Sequence, residues 1–419
     1  MNVENGMTQK SLSMKIAETF VIKDDCLEIG GIPLTRLETQ IGQTPFFAYS
    51  RKHIDHQVRL LRKYLPEKIS IHYAIKANPF VPLIHHLSQK IEGFDVASAN
   101  EMALALNTGI SPEDISFAGP GKTDTELKRA ISAQVLLNVE SLNELRRIQI
   151  LSEKLGLCAR VSLRINPNYN LNSSGMKMGG GPRQFGMDVI YVPDALMFIR
   201  DCPDSLVFEG FQIYPGSQNL RAEHLIEAQN KALDLVIELS RFAPSPIRRF
   251  NLGGGFGVPY FQGDTELNIT EVGSAMHKLV ERAEKFLPET EIILELGRYL
   301  VASSGIYVTK IVERKISHDM VFLVTDGGMN HHLSASGNLG QLIRRNYPVI
   351  IGNKIKGKKR ETVNIVGPLC TPLDILVHQG DMSAAIPGDL VVIFQSGAYG
   401  LSASPNHFLS QTNAVEILV

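Results

Sequence analysis

The sequence predicts an α/β protein in which a (β/α)8 TIM barrel precedes a domain built mainly of strands. Three observations carry that expectation. From residue 51 onward, short β-rich runs alternate with amphipathic helical stretches, the pattern of βα units feeding a parallel sheet. Eight such runs occur before Tyr299, and they fill roughly the 250 residues such a barrel needs. After Tyr299 strand follows strand with little helix between.

The elements follow in order. "HIDHQVRLLRKYL" reads as a helix ahead of the first strand, and the strands are "IHYAIKA", "FDVAS", "ISFAG", "VLLNVES", "VSLRINP", "GFQIYPGS", "RFNLGGG" and "IILELGR". Helical stretches such as "NEMALALNTG", "DTELKRAISA" and "EHLIEAQNKALDLVIELSRF" separate them. Beyond the barrel, "GIYVTKIVERKI", "MVFLVTDGG", "TVNIVGP", "DLVVIFQSG" and "AVEILV" read as strands, and so does "FVIKDDCLEIGGIPL" near the start. The expected organisation is therefore a segment 1–44 joining the β domain, a barrel over 45–300, and a β-sandwich or barrel domain over 301–419.

Lys and Arg (42) balance Asp and Glu (43), so nothing in the overall charge points to nucleic acid or an anionic membrane. The four cysteines form no C-x-x-C pair, and the first residues lack an apolar signal core, so a reducing, cytoplasmic setting is expected. No apolar run approaches the roughly 20 residues that span a bilayer. Small-molecule chemistry is the default expectation.

In a (β/α)8 barrel the chemistry gathers at the carboxyl ends of the strands. Those ends carry Lys76, Asp95 and Ser98, Gly119 to Lys122, Glu140, Arg164 and Asn166, Tyr214 and Ser217, Gly253 to Gly255, and Glu295 with Arg298. The mouth is ionic and glycine-rich, and the strands behind it read as apolar. "NLGGGFG" fails as a dinucleotide fingerprint because Val258 stands at the last glycine position, and "GPGKT" fails as a P-loop because Ser116 stands at the first. The adjacent pairs His85/His86 and His331/His332 diverge on any regular element, so no metal site is expected.

Pyridoxal 5'-phosphate fits this set. Its aldehyde needs a lysine whose amine can lose its proton, which desolvation at Lys76 favours. Its pyridine nitrogen needs an acid partner, available in Glu295, and its phosphate needs amides and a cation, available in Gly253 to Gly255 and Arg298. A strand-end lysine and a structural Glu295/Arg298 pair are the plainer alternatives; their joint occurrence at strands one, seven and eight favours the cofactor.

The segments "HYAIKANP", "GFDVASANE", "GSQ", "LGGGFG", "ELGR", "GPLC" followed by Asp374, and "GAYG" resemble, in combination and in order, the fold-type III pyridoxal-phosphate decarboxylases. This is the group of diaminopimelate, ornithine and arginine decarboxylases that share the alanine-racemase barrel. The resemblance implies that Lys76 forms the Schiff base and that Asp95 lies near the ring. It also implies that Ser217, Gly254, Gly255, Arg298 and Tyr399 hold the phosphate with Gly297 beside them, and that Glu295 pairs with the pyridine nitrogen. Cys370 and Asp374 are implied to reach a neighbouring subunit's barrel, giving a homodimer with shared sites in which Cys370 protonates the product carbon. A packed thiol is the bland alternative for Cys370.

More narrowly, "SGMKMGGGPRQFG", "GSQNLRAEH", "ASGNLGQLIRRNYPV" and "VGPLCTPLD" resemble two carrier-linked branches. One is the exosortase-associated exopolysaccharide decarboxylases, the other the butirosin-pathway decarboxylase acting on glutamyl groups on an acyl carrier protein. Two departures from the wider family bear on substrate. Ordinary members place an acid directly after the cysteine to hold a distal ammonium, where this chain has Thr371; and Tyr214 replaces the histidine that stacks on the ring. "GMKMGGGPRQFG" reads as an opening lid or a flexible connection. Arg344, Arg345 and Tyr347 lie where an arginine and a tyrosine of relatives bind substrate carboxylates, and Arg344, Tyr347, Thr371 and Asp374 are the residues expected to contact substrate here. The expected activity is α-decarboxylation of a free or carrier-linked amino acid. Diaminopimelate decarboxylation is the alternative, and a racemase or a silent homologue stands further off, because Glu295, Lys76 and Cys370 are all present.

Overall fold

The computed structural model describes residues 11–168, 176–177, 179–214 and 216–419. They divide into two compact units: Asp55–Val258 with Glu266–Leu300, and Met1–Ile54 with Pro259–Thr265 and Val301–Val419.

The first unit is the barrel. Its strands are β1 (Ile69–Ala74), β2 (Gly93–Val96), β3 (Ile115–Phe117), β4 (Leu136–Val139), β5 (Ala159–Asn166), β6 (Leu206–Gln212), β7 (Arg249–Asn251) and β8 (Glu291–Leu296). Each pairs in parallel with the next, and β8 pairs with β1, so the ring closes. All eight runs read from the sequence fall on these strands. Three successive strand-to-helix turns share one device, Ser or Thr followed three residues later by Glu. Ser98 accepts from the Glu101 amide, Ser141 from the Glu144 amide, and Thr123 with Glu126 forms a reciprocal capping box. These caps satisfy the first amides of helices Ala99–Leu106, Asp124–Ser132 and Leu142–Leu155, and so fix the rim beside β2, β3 and β4.

In the second unit, strands run in the order Val349–Ile351, Leu390–Ile393, Gly305–Ser317, Met320–Thr325, Arg360–Val366, Ile375–Ser383. Phe46–Tyr49 pairs with both Gly305–Ser317 and Val415–Leu418. Phe46, Ala48, Ile306, Val308, Val392 and Phe394 form part of its core. The amino-terminal strands belong to this unit but not to its large sheet. The "FVIKDDCLEIGGIPL" strands form a separate three-stranded sheet, Val21–Lys23, Cys26–Ile29 and Ile32–Pro33. Phe46–Tyr49 is the strand that ties the amino-terminal region into the large sheet, although the sequence reading placed it at the start of the barrel. All four of its residues are buried, so it lacks the alternation that marks a one-sided strand.

The expected lid over residues 175–186 falls partly outside the described residues. What is described includes a short pairing of Met176–Lys177 with Gly216–Ser217. No helix among the described residues is long and apolar enough to cross a membrane.

Candidate active site

In the barrel unit, Lys76 lies in the single turn Ile75–Ala77 directly after β1. Its Nζ donates to Glu295 Oε1 at 3.2 Å, and the two side chains differ sharply in exposure, 41% against 4%. Glu295 is on β8, opposite His72 of β1 in the parallel register. Its other oxygen, Oε2, accepts from Gln212 Nε2 on β6 at 2.9 Å. The Tyr214 ring centroid lies 5.3 Å from the Lys76 ammonium, an aromatic face beside the reactive amine. An amine open to solvent is thus paired with a carboxylate held from behind by a buried amide.

Asp95, next to last in β2, accepts from the Ser116 hydroxyl, which in turn accepts from Asn138 Nδ2 at 3.2 Å. Its second oxygen has no hydrogen-bond partner among the described residues. Burial pushes the Asp95 carboxyl well above the usual carboxylate range, and the Glu295 charge adds to the shift. His72 is driven the other way, down to about 3, by burial and then by the Arg249 charge, so its imidazole is neutral.

The glycines ending β7 form a cradle. Gly253 and Gly255 take positive φ (66° and 86°) around Gly254, an arrangement that turns successive amides toward one side. A Cβ on Gly254 would lie 1.9 Å from the Glu295 carbonyl oxygen, so only glycine lets this loop lie against the end of β8. The Gly253 amide donates to Asn251 Oδ1. The buried amides of Gly254 and Gly255 donate to no group among the described residues. Ser217 follows β6, and Gly297 and Arg298 follow β8, at the same end of the barrel.

Amine, carboxylate and unpaired buried amides are the donor set that pyridoxal phosphate requires for its aldehyde, its ring nitrogen and its phosphate. The residues present fit the group.

The structure corrects the sequence reading in places. The strands behind the mouth are not apolar throughout: Ser116, Asn138, Ser162, Gln212 and Asn251 are all buried. Asp95 opposes Ser116, Asn138 opposes Ser162 and Gln212 opposes Asn251, so these residues share one face of the barrel sheet. Gln212, which braces Glu295, is the functional residue the sequence reading missed; its only signal is an amide interrupting "FEGFQIY". Lys122 of "GPGKT" is a buried strut that donates to Gly119 O, Asn138 O and Glu144 Oε1. Glu140 likewise serves the rim, accepting from Arg164 Nη1 and from the Gly119 and Gly186 amides. His86 bonds to Asp55, while His331 and His332 are buried and bond to Thr412 O and Ser396 Oγ.

The β-domain unit holds the second set. Cys370 is exposed in the turn between strands Arg360–Val366 and Ile375–Ser383. Asp374, 3% exposed, accepts from the Met329 and Leu369 amides at 2.6 and 2.9 Å. Both of its oxygens are thus engaged inside its own unit, and burial raises its carboxyl against the pull of those amides. Asp374 thereby holds the shape of the Cys370 turn. The Thr371 hydroxyl accepts from the Leu373 amide, and the Leu373 carbonyl accepts from Asn338 Nδ2 at 3.2 Å and Arg344 Nη2 at 3.5 Å. Arg344, Cys370, Thr371 and Asp374 therefore gather around one turn. Tyr347 is buried against Tyr260 and His332, and Tyr399 sits in a left-handed turn with its carbonyl accepting from Ser334.

A closed parallel barrel with a paired lysine and glutamate at its mouth, joined in one chain to a sheet domain, defines a class: fold-type III pyridoxal-phosphate enzymes. Residues 51–302 match the pyridoxal binding domain of the pyridoxal-dependent decarboxylases. The chain belongs to that family and is a carboxy-lyase. It is 41% identical over 385 residues to the L-glutamyl-[BtrI acyl-carrier protein] decarboxylase of Niallia circulans, covering 91% of this chain and 90% of that one. It is 31% identical to the diaminopimelate decarboxylase of Aquifex aeolicus, over 95% of this chain and 91% of the relative. Among solved structures, diaminopimelate decarboxylase from m. jannaschii in co-complex with L-lysine superposes with a TM-score of 0.87 at 26% identity, covering 96% and 93% of the two chains.

Proposed function

We propose that the enzyme removes the α-carboxylate of a glutamyl-type amino acid carried as a thioester, with Lys76, Glu295 and Cys370 as its working groups. The observation that carries this reading is Thr371, an uncharged residue directly after the exposed Cys370. α-Decarboxylation needs a free α-amine and a free α-carboxylate, so a glutamyl group must be tethered through its side-chain carboxyl. Its distal end is then a neutral thioester. A neutral hydroxyl suits that end, whereas the distal ammonium of diaminopimelate, lysine or ornithine would lack a partner here. The higher identity to the carrier-linked relative, 41% against 31%, points the same way.

Pyridoxal phosphate, held by Lys76, Glu295 and the Gly254 and Gly255 amides, supplies the electron sink for the carbon that loses CO2. Lys76 would hold the cofactor through its Nζ, and its amine, 3.2 Å from Glu295 Oε1, would yield that place to the substrate amine. Gln212 keeps the Glu295 carboxylate in place throughout, and the Tyr214 ring stands beside the amine with its face 5.3 Å away. Once the carboxylate has left as CO2 and its bonding pair remains with the α-carbon, Cys370 donates its Sγ proton there and is reprotonated from solvent, so a hydrogen replaces the carboxylate. Asp374 fixes the turn that presents this thiol. The active assembly is a homodimer in which Cys370 of one copy serves the barrel of the other.

The test is Thr371→Asp. Supplying a carboxylate is expected to raise kcat/KM for ornithine or diaminopimelate relative to the glutamyl thioester by about tenfold, the worth of roughly 1.4 kcal/mol. An unchanged preference contradicts the assignment of Thr371.

A further inference from the structure

We propose that His72 is a positioning residue for the active site: from inside the barrel it holds an ordered water that hydrogen-bonds the second oxygen of Asp95. The proposal does not depend on which substrate the site takes.

The strand register puts the two residues on one face. His72 opposes Gly93, and Ala74, two residues on, opposes Asp95, so His72, Gly93 and Asp95 all face the barrel interior. Glu295 opposes His72 on the other side of β1. The His72 ring lies across Gly93, where a Cβ would stand 2.5 Å from both Cε1 and Nε2. Glycine at that position is what admits the ring. The Asp95 side chain leaves β2 about 6.6 Å further along the strand, too far for a direct bond to the ring and near enough for one water between them.

Polar atoms without a partner surround this space. His72 is 1% exposed and Asp95 4%. Among the described residues, neither ring nitrogen of His72 has a hydrogen-bond partner, and neither does Asp95 Oδ2 or Gln212 Oε1. The companion atoms are engaged, Asp95 Oδ1 by the Ser116 hydroxyl and Gln212 Nε2 by Glu295. Buried polar groups are ordinarily satisfied, and ordered water serves those that protein atoms do not reach. A neutral imidazole offers one N–H and one lone pair. With its carboxyl protonated, Asp95 donates through Oδ2 to the water, and the water donates to the bare His72 nitrogen. Both Asp95 oxygens are then held, one by Ser116 and one through His72, and the carboxyl cannot turn.

Charge selects water as the occupant. Arg249 on β7 pairs with Asp114 and Glu291 at 3.1 and 3.2 Å. Its positive charge acts on His72 and on Asp95 alike and disfavours a metal cation, while Glu295 disfavours an anion.

The experiment compares the wild-type holoenzyme with H72F and H72Q by crystal structure, Tm and CO2 release from a glutamyl carrier-protein thioester. Phenylalanine keeps a ring and removes both nitrogens, whereas glutamine gives up the ring and keeps a donor and an acceptor. The wild type should show one ordered water within hydrogen-bond distance of a His72 nitrogen and of Asp95 Oδ2. H72F should lose that water, with a lower Tm, an unchanged KM and kcat lowered about 3- to 10-fold, the worth of one hydrogen bond. H72Q should keep the water, with Tm and kcat near wild type. A ring that only packs gives the opposite order, H72F like wild type and H72Q impaired, and that order overturns the proposal. Equal loss in both variants, or loss in neither, overturns it as well. So does a wild-type structure without the water, whether or not H72F folds. A wild type idle on the thioester would refute the substrate reading alone, and the water and the order of Tm would still decide on His72.

Discussion

The Gln212–Glu295 contact offers a sharp perturbation. Gln212→Leu keeps a side chain of similar size while removing the amide that donates to Glu295 Oε2 at 2.9 Å. Both residues are buried, so no solvent shell replaces the lost donor. A hydrogen bond to a buried charged group is worth about 1.5–3 kcal/mol. At about 1.4 kcal/mol per factor of ten, freeing Glu295 should lower kcat roughly 10- to 100-fold if its position matters at the chemical step. KM should change little, because Gln212 lies behind Glu295 and away from the open Lys76 amine. The assay is CO2 release at saturating substrate and excess pyridoxal phosphate, with cofactor absorbance recorded in parallel. A variant within twofold of wild type in kcat, with full cofactor loading, refutes the view that Gln212 positions Glu295.

Two further predictions follow from the buried carboxyls. Burial, with the Glu295 charge second, raises Asp95 above its unfolded value. Its contribution to cofactor-free stability is complete below about pH 4 and is lost as pH rises toward the raised folded value. Tm of the cofactor-free wild type should therefore fall with rising pH across that window more steeply than Tm of Asp95→Asn; parallel curves would contradict the shift. Asp374→Ala strands the Met329 and Leu369 amides, so denaturant unfolding should show a loss of about 2 kcal/mol or more. It should also lower kcat through the Cys370 turn, and full stability with full activity would contradict the bracing role.

The barrel was legible because each strand is a short apolar run bounded by turn residues, and closure follows from there being eight of them. Lys76, Glu295 and the Gly253 to Gly255 turn stood out because charge or clustered glycine at a strand end has few structural uses. Gln212, Asn138 and Ser162 did not stand out, because a polar residue in a strand ordinarily faces water. Only closure of the sheet puts Gln212 opposite Asn251, and Asn138 opposite Ser162, inside the barrel. The strut role of Lys122 was hidden for a related reason: its partners Asn138 and Glu144 come from the next βα unit, and no local pattern announces them. Phe46–Tyr49 was assigned to the wrong unit because its partners are Gly305–Ser317 and Val415–Leu418, more than 250 residues away. Asp374 was named through the resemblance in "VGPLCTPLD"; that its carboxylate accepts from the Met329 and Leu369 amides and closes the turn carrying Cys370 was not legible, because Met329 lies 45 residues away.

The central claim concerns what the uncharged Thr371 admits. The most direct measurement is CO2 release by the wild-type holoenzyme from a glutamyl carrier-protein thioester, free glutamate and diaminopimelate, each at several concentrations. The account predicts that kcat/KM for the thioester exceeds that for diaminopimelate by about tenfold or more, the cost of an unpaired distal charge. Turnover of diaminopimelate alone would contradict it.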